Sequence, residues 1–212
     1  AGSIGGIVFS QARNRQGKIQ TARERVVPLN PSTPEQQLSR QKMQLCTAIA
    51  NQVGVQDLRL YWDRAVSKLP GFQSLVSAYQ RTYYISGVDI IGDREMRPYH
   101  LGDYPGVELT GLEDSGTPGV LDLTWDTSVP PMGASSDRLH IIASPMEMTL
   151  GEIGPNAAVY LTNRTRNNGS ASIDMRSTFD PFQGALVVVW VVPQELVPSG
   201  RASVTSSIFA YF

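Results

Sequence analysis

The sequence contains few of the residues that build reactive centres. Its 212 residues include one cysteine and two histidines, which excludes an internal disulfide and a metal site made of several cysteines. Neither His100 nor His140 has other ligands around it at the spacing of a metal site. The phosphate-binding loop and the nucleophile elbow are absent as well. These absences indicate a protein that is not an enzyme and that holds no cofactor and no metal.

The lone cysteine and one of the histidines lie in patterned stretches. Cys46 follows Leu45 within a helical pattern, and we expect it to be a small buried hydrophobic residue. His140 alternates with apolar residues in a predicted strand. We therefore expect the His140 side chain to face solvent or a polar interface.

Long apolar runs are also missing. No stretch reaches the roughly 18 apolar residues of a transmembrane helix, so we expect no membrane partner. The N-terminal stretch AGSIGGIVFS lacks the apolar core of a signal peptide. We expect the protein to be made in a cytosol, and to stay there or to be assembled there into something larger.

Charge is distributed unevenly along the chain. Residues 1–42 contain seven lysines and arginines against two glutamates, whereas residues 101–212 contain five arginines against twelve aspartates and glutamates. A basic arm on an acidic body is complementary between copies of the chain, or suits a separate acidic partner. The arm lacks interleaved aromatic residues that would stack on bases, so a protein partner is favoured over nucleic acid. The predicted assembly contacts are Arg13, Arg15, Lys18, Arg23, Arg25 and Arg40.

The basic leader has the pattern of a β-hairpin. Its glycines argue against a helix, and Asn14 to Gly17 is a turn sequence in which Gly17 can take a positive φ. An isolated hairpin is marginally stable in water. We therefore expect this hairpin to pair with another sheet, either in its own body or in a neighbouring subunit.

A helix start follows the leader. Thr33 is the predicted N-cap, Pro34 the first helical residue and Gln36 the third, which together form a capping box. Apolar residues at helical spacing continue from there. They predict helices over 34–53, 57–69 and 71–81, with Trp62, Phe72 and Tyr79 in the core.

From Tyr83 onward the period of the pattern becomes two, which is typical of strands. The apolar run 185–192 indicates a central strand buried on both faces. Turn clusters separate the strands at the spacing of an antiparallel β-sandwich. The predicted strands are 82–91, 107–112, 119–125, 138–144, 157–163, 170–176, 184–192 and 202–211.

These patterns predict an α+β protein in three parts. Residues 1–29 would form an extended basic arm or hairpin, and residues 30–84 a short helical segment. Residues 85–212 would form a C-terminal antiparallel, Ig-like β-sandwich.

One stretch resembles a known protein family. NPSTPEQQLSR, residues 30–40, matches the signature Asn-Pro-x-Thr-x-x-Gln-x-x-x-Arg of a family of uncharacterised phage and prophage structural proteins. Members open with Gly-rich strands, continue into a helical segment with a tryptophan, here Trp62, and end in a β-sandwich. The stretches LTWDTS (123–128), TRNNGSASIDM (165–175) and ALVVVWVV (185–192) resemble strands of that sandwich.

The resemblance implies a non-enzymatic structural component of a tailed-phage virion. The protein would be a head decoration, connector or tail protein, assembled through its N-terminal arm in the host cytoplasm. Its partners would be other virion proteins and copies of itself. Two alternatives stay open: a glycan-binding, surface-recognition module and a DNA-contacting packaging or connector protein. The first needs exposed aromatics, yet Trp125 and Trp190 are predicted to be buried, and the second needs the arm to contact phosphate.

Overall fold

The structure is a computed structural model, and it divides into two compact units, residues 1–33 and residues 34–212. Both units contain antiparallel strands, and the helices belong to the second. The described residues are 2–4, 7–14, 17–24, 33–63, 70–92, 101–149, 157–178, 184–194, 202–203 and 205–211.

The first unit is a three-stranded antiparallel sheet. Its strands are β1 (Gly2–Ile4), β2 (Ile7–Asn14) and β3 (Gly17–Glu24), in the order β1-β2-β3. The predicted hairpin is confirmed, and its register pairs Asn14 with Gly17 at the closed end. The short strand β1 was not predicted.

Helices open the second unit. α1 (Pro34–Gln52) starts at its predicted first residue. α2 (Val55–Asp57) continues into a π-helical turn, Leu58–Trp62. The helix predicted over 57–69 therefore begins earlier than expected, and its residues 64–69 lie outside the described residues.

α3 (Gly71–Thr82) begins where it touches the π-helical turn. A Cβ at Gly71 would overlap the carbonyl oxygen of Leu58, so this close approach requires glycine. The Gly71 N–H also donates to the carboxylate of Asp63. These contacts fix the start of α3 against the preceding turn.

The aromatic residues of the helical segment are not all in the core. Trp62 and Tyr79 are fully buried, as predicted. Phe72 is 37% exposed, so its predicted place in the core was wrong. The buried stripe of α3 runs through Gly71, Leu75 and Tyr79 at helical spacing, and Phe72 lies one residue outside it.

A small sheet follows α3. β4 (Tyr83–Ser86) and β5 (Asp89–Gly92) form a hairpin, and β9 (Glu147–Thr149) pairs with β5. The single strand predicted over 82–91 was wrong. The chain reverses at Gly87, whose φ of 62° lies in the left-handed region that glycine adopts readily.

Seven further strands form a sandwich of two antiparallel sheets. They are β6 (Leu109–Asp114), β7 (Val120–Trp125), β8 (Arg138–Pro145), β10 (Val159–Thr165), β11 (Ser170–Asp174), β12 (Gly184–Val192) and β13 (Ser206–Tyr211). One sheet has the order β10-β8-β12-β13, and the other β11-β7-β6. At the sides of the sandwich β6 lies beside β13 and β10 beside β11. The predicted α+β class with a C-terminal sandwich is confirmed.

Two hydrophobic cores flank the sheet β10-β8-β12-β13. The sandwich core lies between the two sheets, and the helix-side core lies between this sheet and the helices. β12 contributes to both cores, because successive side chains of a strand point to opposite faces. Val187 and Val189 pack in the sandwich core, whereas Val188 and Trp190 pack in the helix-side core. The predicted central strand buried on both faces is confirmed.

Candidate functional site

The N-terminal sheet carries three of the predicted basic contacts. Arg13 lies in β2, and Lys18 and Arg23 lie in β3. The register sets Arg13 directly opposite Lys18, so these two residues, the basic pair, share one face near the closed end of the hairpin. Arg23 lies an odd number of residues from Lys18 and therefore on the other face. Arg15 and Arg25 lie outside the described residues.

The outer edge of β3 is unpaired among the described residues. β3 pairs with β2 over eight residues, and no described residue pairs with its other edge. Ala22, on the same face as the basic pair, is exposed. An edge strand presents N–H and C=O groups that another strand can pair with. The N-terminal sheet therefore combines an open edge with a basic pair.

The remaining predicted contacts lie at the start of α1. The helix begins at Pro34, directly after Thr33. Gln36 and Arg40 are exposed on its first two turns. The capping roles of Thr33 and Gln36 and the assembly contact of Arg40 stay predictions.

The outer face of the sheet β11-β7-β6 carries the opposite charge. Glu113 in β6 lies directly opposite Asp122 in β7, and both are exposed. Ser172 in β11 lies opposite Asp122 on its other side and donates to Asp122 Oδ1 at 2.7 Å. Within the described part of the chain, no cation forms an ion pair with Glu113 or Asp122, the acidic pair.

Each unit thus contains a cross-strand pair of like charges. Like charges directly opposite each other destabilise a sheet, whereas opposite charges contribute about 0.2–1 kcal/mol. The pair in the first unit is positive and the pair in the second is negative. The acidic pair was not predicted from the sequence, because strand register brings together residues that are nine positions apart.

A chain of three polar side chains joins the helical segment to the sandwich. Tyr160 in β10 donates its hydroxyl proton to Asp57 Oδ2 at 2.8 Å. His140 Nδ1 in β8 lies 2.5 Å from the same hydroxyl oxygen. Since the one proton of Tyr160 is directed to Asp57, the proton of the second bond belongs to His140 Nδ1. The Nδ1 atom of His140 therefore carries a proton.

Aromatic rings surround His140, which is only 5% exposed. Its ring stacks on Trp190 with centroids 5.3 Å apart, and Tyr61 meets it edge-on at 5.2 Å. Of the two environments expected for His140, solvent was wrong, because helical residues cover this face of β8; the residue instead makes a polar contact with Tyr160. Burial lowers the pKa of His140 to about 4; the charge of Asp57 opposes this shift, and Arg138 adds to it. His140 therefore connects the helical segment to the sandwich as a neutral side chain.

A second buried polar cluster holds loops at one end of the sandwich. Arg166 and Asp137 are each 1% exposed, with Arg166 Nε 3.6 Å from Asp137 Oδ2. Arg166 donates to the main-chain oxygens of Gly106 and Pro105 at 2.9 Å. The Tyr104 hydroxyl lies 2.9 Å from both carboxylate oxygens of Asp137, and burial raises the pKa of Tyr104 to about 12. All partners of this cluster are internal, which indicates a structural role.

No protein-family model matches this chain, and no curated protein or solved structure is significantly similar to it. Among the described residues, no group of three or more histidine, cysteine, aspartate or glutamate residues is placed to hold a metal ion. No helix within those residues has the length and apolarity needed to cross a membrane. The surfaces that suggest a function are the basic pair with the open β3 edge, and the acidic pair.

Proposed function

We propose that the protein is a non-enzymatic structural component of a tailed-phage virion, assembled through its N-terminal sheet. The observation that carries the proposal is the open outer edge of β3, in a sheet of only three strands. Open edges pair with strands of neighbouring chains, and small sheets gain stability when they do. The basic pair would then select a partner by its charge.

The resemblance of residues 30–40 to the phage family signature supports the virion assignment. This stretch spans the boundary between the two compact units, which falls after Thr33. Pro34 is the first residue of α1, so the signature includes the point where the helix begins. A signature at such a boundary would suit a protein whose N-terminal part and body bind different partners.

The glycan-binding alternative gains no support from the described faces of the sandwich. Trp125 is 4% exposed and Trp190 fully buried, as predicted. The exposed residues on the outer faces of β6, β7 and β11 include no aromatic side chain. A platform for stacking sugars would need such side chains. The DNA-contacting alternative predicts binding that weakens steeply with salt, which a titration with duplex DNA would detect.

Removal of residues 1–28 tests the proposal. The shortened protein should keep its folded body, because both hydrophobic cores consist of residues from Leu38 onward. Circular dichroism and a thermal melt would check this. Epitope-tagged full-length and shortened proteins would then be produced in cells that assemble the particles, and the particles purified on a density gradient. We expect the full-length protein to sediment with particles and the shortened protein to remain in the soluble fraction.

A control variant shows whether a surface substitution alone reduces incorporation into particles. Met132 is 69% exposed in the body, so Met132→Ser should enter particles like the full-length protein. Normal incorporation of the shortened protein would show that the N-terminal sheet is not the assembly element. Absence of the full-length protein from the particles would refute the virion assignment itself.

A further inference from the structure

A short helical segment covers His140. It consists of α2 and the π-helical turn, residues 55–62, and we call it the clasp. Isolated helices shorter than about 12 residues are marginal in water. Helical turns of the π type are also rare and short, and they often occur at functional sites. The clasp therefore depends on its contacts with the rest of the molecule for its stability.

Apolar contacts hold one side of the clasp. Leu58 and Trp62 are buried in the helix-side core, and the Trp62 ring meets Trp190 of β12 edge-on with centroids 5.8 Å apart. Val55 and Arg59 are exposed, so the clasp packs on one side only. Segments with few buried residues are the ones that open locally in native proteins.

The polar contact of the clasp leads to His140. The Tyr160 hydroxyl donates to Asp57 of the clasp, and the same hydroxyl accepts from His140 Nδ1. Tyr61, also in the clasp, contacts the imidazole edge-on. The closed clasp thus keeps water away from the imidazole, which reaches solvent if the clasp lifts from β8.

The groups around His140 do not compensate a positive charge on its ring. Asp57 favours the charged form from the clasp, whereas Arg138, on the same strand, disfavours it. Tyr61 and Tyr160 face the ring as neutral phenols, because burial raises the pKa of each. The neighbouring ring from β12 is an indole, which does not titrate. Burial outweighs the charge of Asp57, so a proton on the imidazole favours any arrangement that lets water reach it.

We infer that residues 55–62 form an acid-sensitive clasp, which opens over β8 when His140 takes up a proton, while the sandwich stays folded. The sandwich core contains no residue of the clasp, so the opening leaves that core intact. The inference is independent of the proposed function, because it concerns the body of the protein alone.

Linkage gives the sign and the size of the effect. The pKa of His140 is about 4 with the clasp closed, against 6.5 for an imidazole in water. The closed state is therefore fully favoured above about pH 6.5 and loses this advantage as pH falls. Between pH 7 and pH 4 the opening equilibrium should shift by about 100-fold.

Hydrogen exchange of the full-length protein, followed by mass spectrometry, tests the inference. Opening breaks the main-chain hydrogen bonds from Leu58 N–H to Gly54 and from Asp63 N–H to Leu58, so these amides report on the clasp. The amides of β12 report on the sandwich. After correction for the intrinsic pH dependence of exchange, protection of the clasp amides should fall at least ~10-fold between pH 7 and pH 4. At pH 4 it should be at least ~10-fold lower than protection of β12.

Two variants assign the effect to the histidine. His140→Phe keeps an aromatic ring at this position but cannot take up a proton, so its clasp protection should change less than ~2-fold over the same pH range. The control Glu113→Gln removes an exposed carboxylate on the outer face of the other sheet. This control should keep the pH dependence of the wild type.

Three results would overturn the inference. They are clasp protection that does not fall with pH, equal protection of the clasp and β12 at pH 4, and an unchanged pH dependence in His140→Phe. The first two are measured on the wild type, so the test stands even if His140→Phe does not fold. Loss of the pH dependence in Glu113→Gln would likewise contradict a role specific to His140.

Discussion

Replacing Asp137 with alanine should destabilise the sandwich far more than the same replacement at Asp174. Both residues pair with an arginine, but the side chains of the Asp137–Arg166 pair are 1% exposed, and those of the Asp174–Arg176 pair are more than half exposed. Loss of the Asp137 carboxylate would leave the guanidinium charge of Arg166 buried. It would also remove both acceptors of the Tyr104 hydroxyl.

The structure sets the size of this effect. Removal of one partner from a buried ion pair costs about 3–5 kcal/mol. Asp137 also accepts a hydrogen bond from the Ala134 N–H at 2.8 Å, which places the expected loss toward the upper end. For a chain of this length 1 kcal/mol shifts Tm by about 2–4 °C, so Asp137→Ala should lower Tm by about 10–20 °C. Asp174→Ala should leave Tm unchanged, because solvent screens the exposed pair.

Urea unfolding followed by tryptophan fluorescence would measure the difference. Trp125 is a local probe, since its indole N–H donates to the main-chain oxygen of Arg166 at 2.9 Å. Asp137→Ala/Arg166→Met should be more stable than Asp137→Ala alone, because it removes the buried charge. Equal unfolding midpoints for Asp137→Ala and Asp174→Ala would refute the argument that this cluster holds the loops.

Two further predictions concern buried titratable groups. The pKa of His140 falls from 6.5 to about 4 on folding, so the unfolded chain binds the proton first as pH falls. The contribution of neutral His140 to the free energy of unfolding is therefore complete above about pH 6.5. About 3 kcal/mol of this contribution is lost by pH 4. His140→Phe should lack this part of the pH dependence in urea titrations, and a curve parallel to that of the wild type would contradict the assignment. Burial raises the pKa of Cys46 to about 12, and the residue is fully buried. A thiol reagent at pH 8 should therefore label it only after denaturation, and rapid labelling of the native protein would show that the helix-side core opens.

The sequence was most informative where one local rule decided the structure. Pro34 predicts a helix start by its fixed φ, which suits the first helical position, and α1 begins there. The apolar run of β12 has no polar residue and is too short for a buried helix of ordinary length. This pattern therefore predicts a strand that is covered on both faces.

Other features depended on contacts between distant segments. The hairpin β4–β5 was predicted as one strand, because alternation continues across Gly87 and only its positive φ shows the reversal. His140 has the spacing of a solvent-facing strand residue. Its burial depends on Asp57 and Tyr61, which lie about eighty residues earlier in the chain. No local pattern of residues contains that information.

The candidate surfaces also depend on strand pairing that the sequence alone does not show. The basic residues of the leader were identified by composition alone, but the opposition of Arg13 and Lys18 depends on the register of the hairpin. Neither Glu113 nor Asp122 indicates a site by itself, because carboxylates are common at solvent-exposed positions. Register converts them into neighbours on one exposed face of the sheet.

The double burial of β12 has a consequence for how substitutions combine. Val188 and Val189 are consecutive in the chain, yet their side chains lie in different cores on opposite sides of a sheet. Val187 and Val189 are separated by one residue and share a core. Energetic coupling follows shared contacts rather than distance along the chain. Along this strand, immediate neighbours should therefore vary independently during evolution, while alternate positions should change in concert.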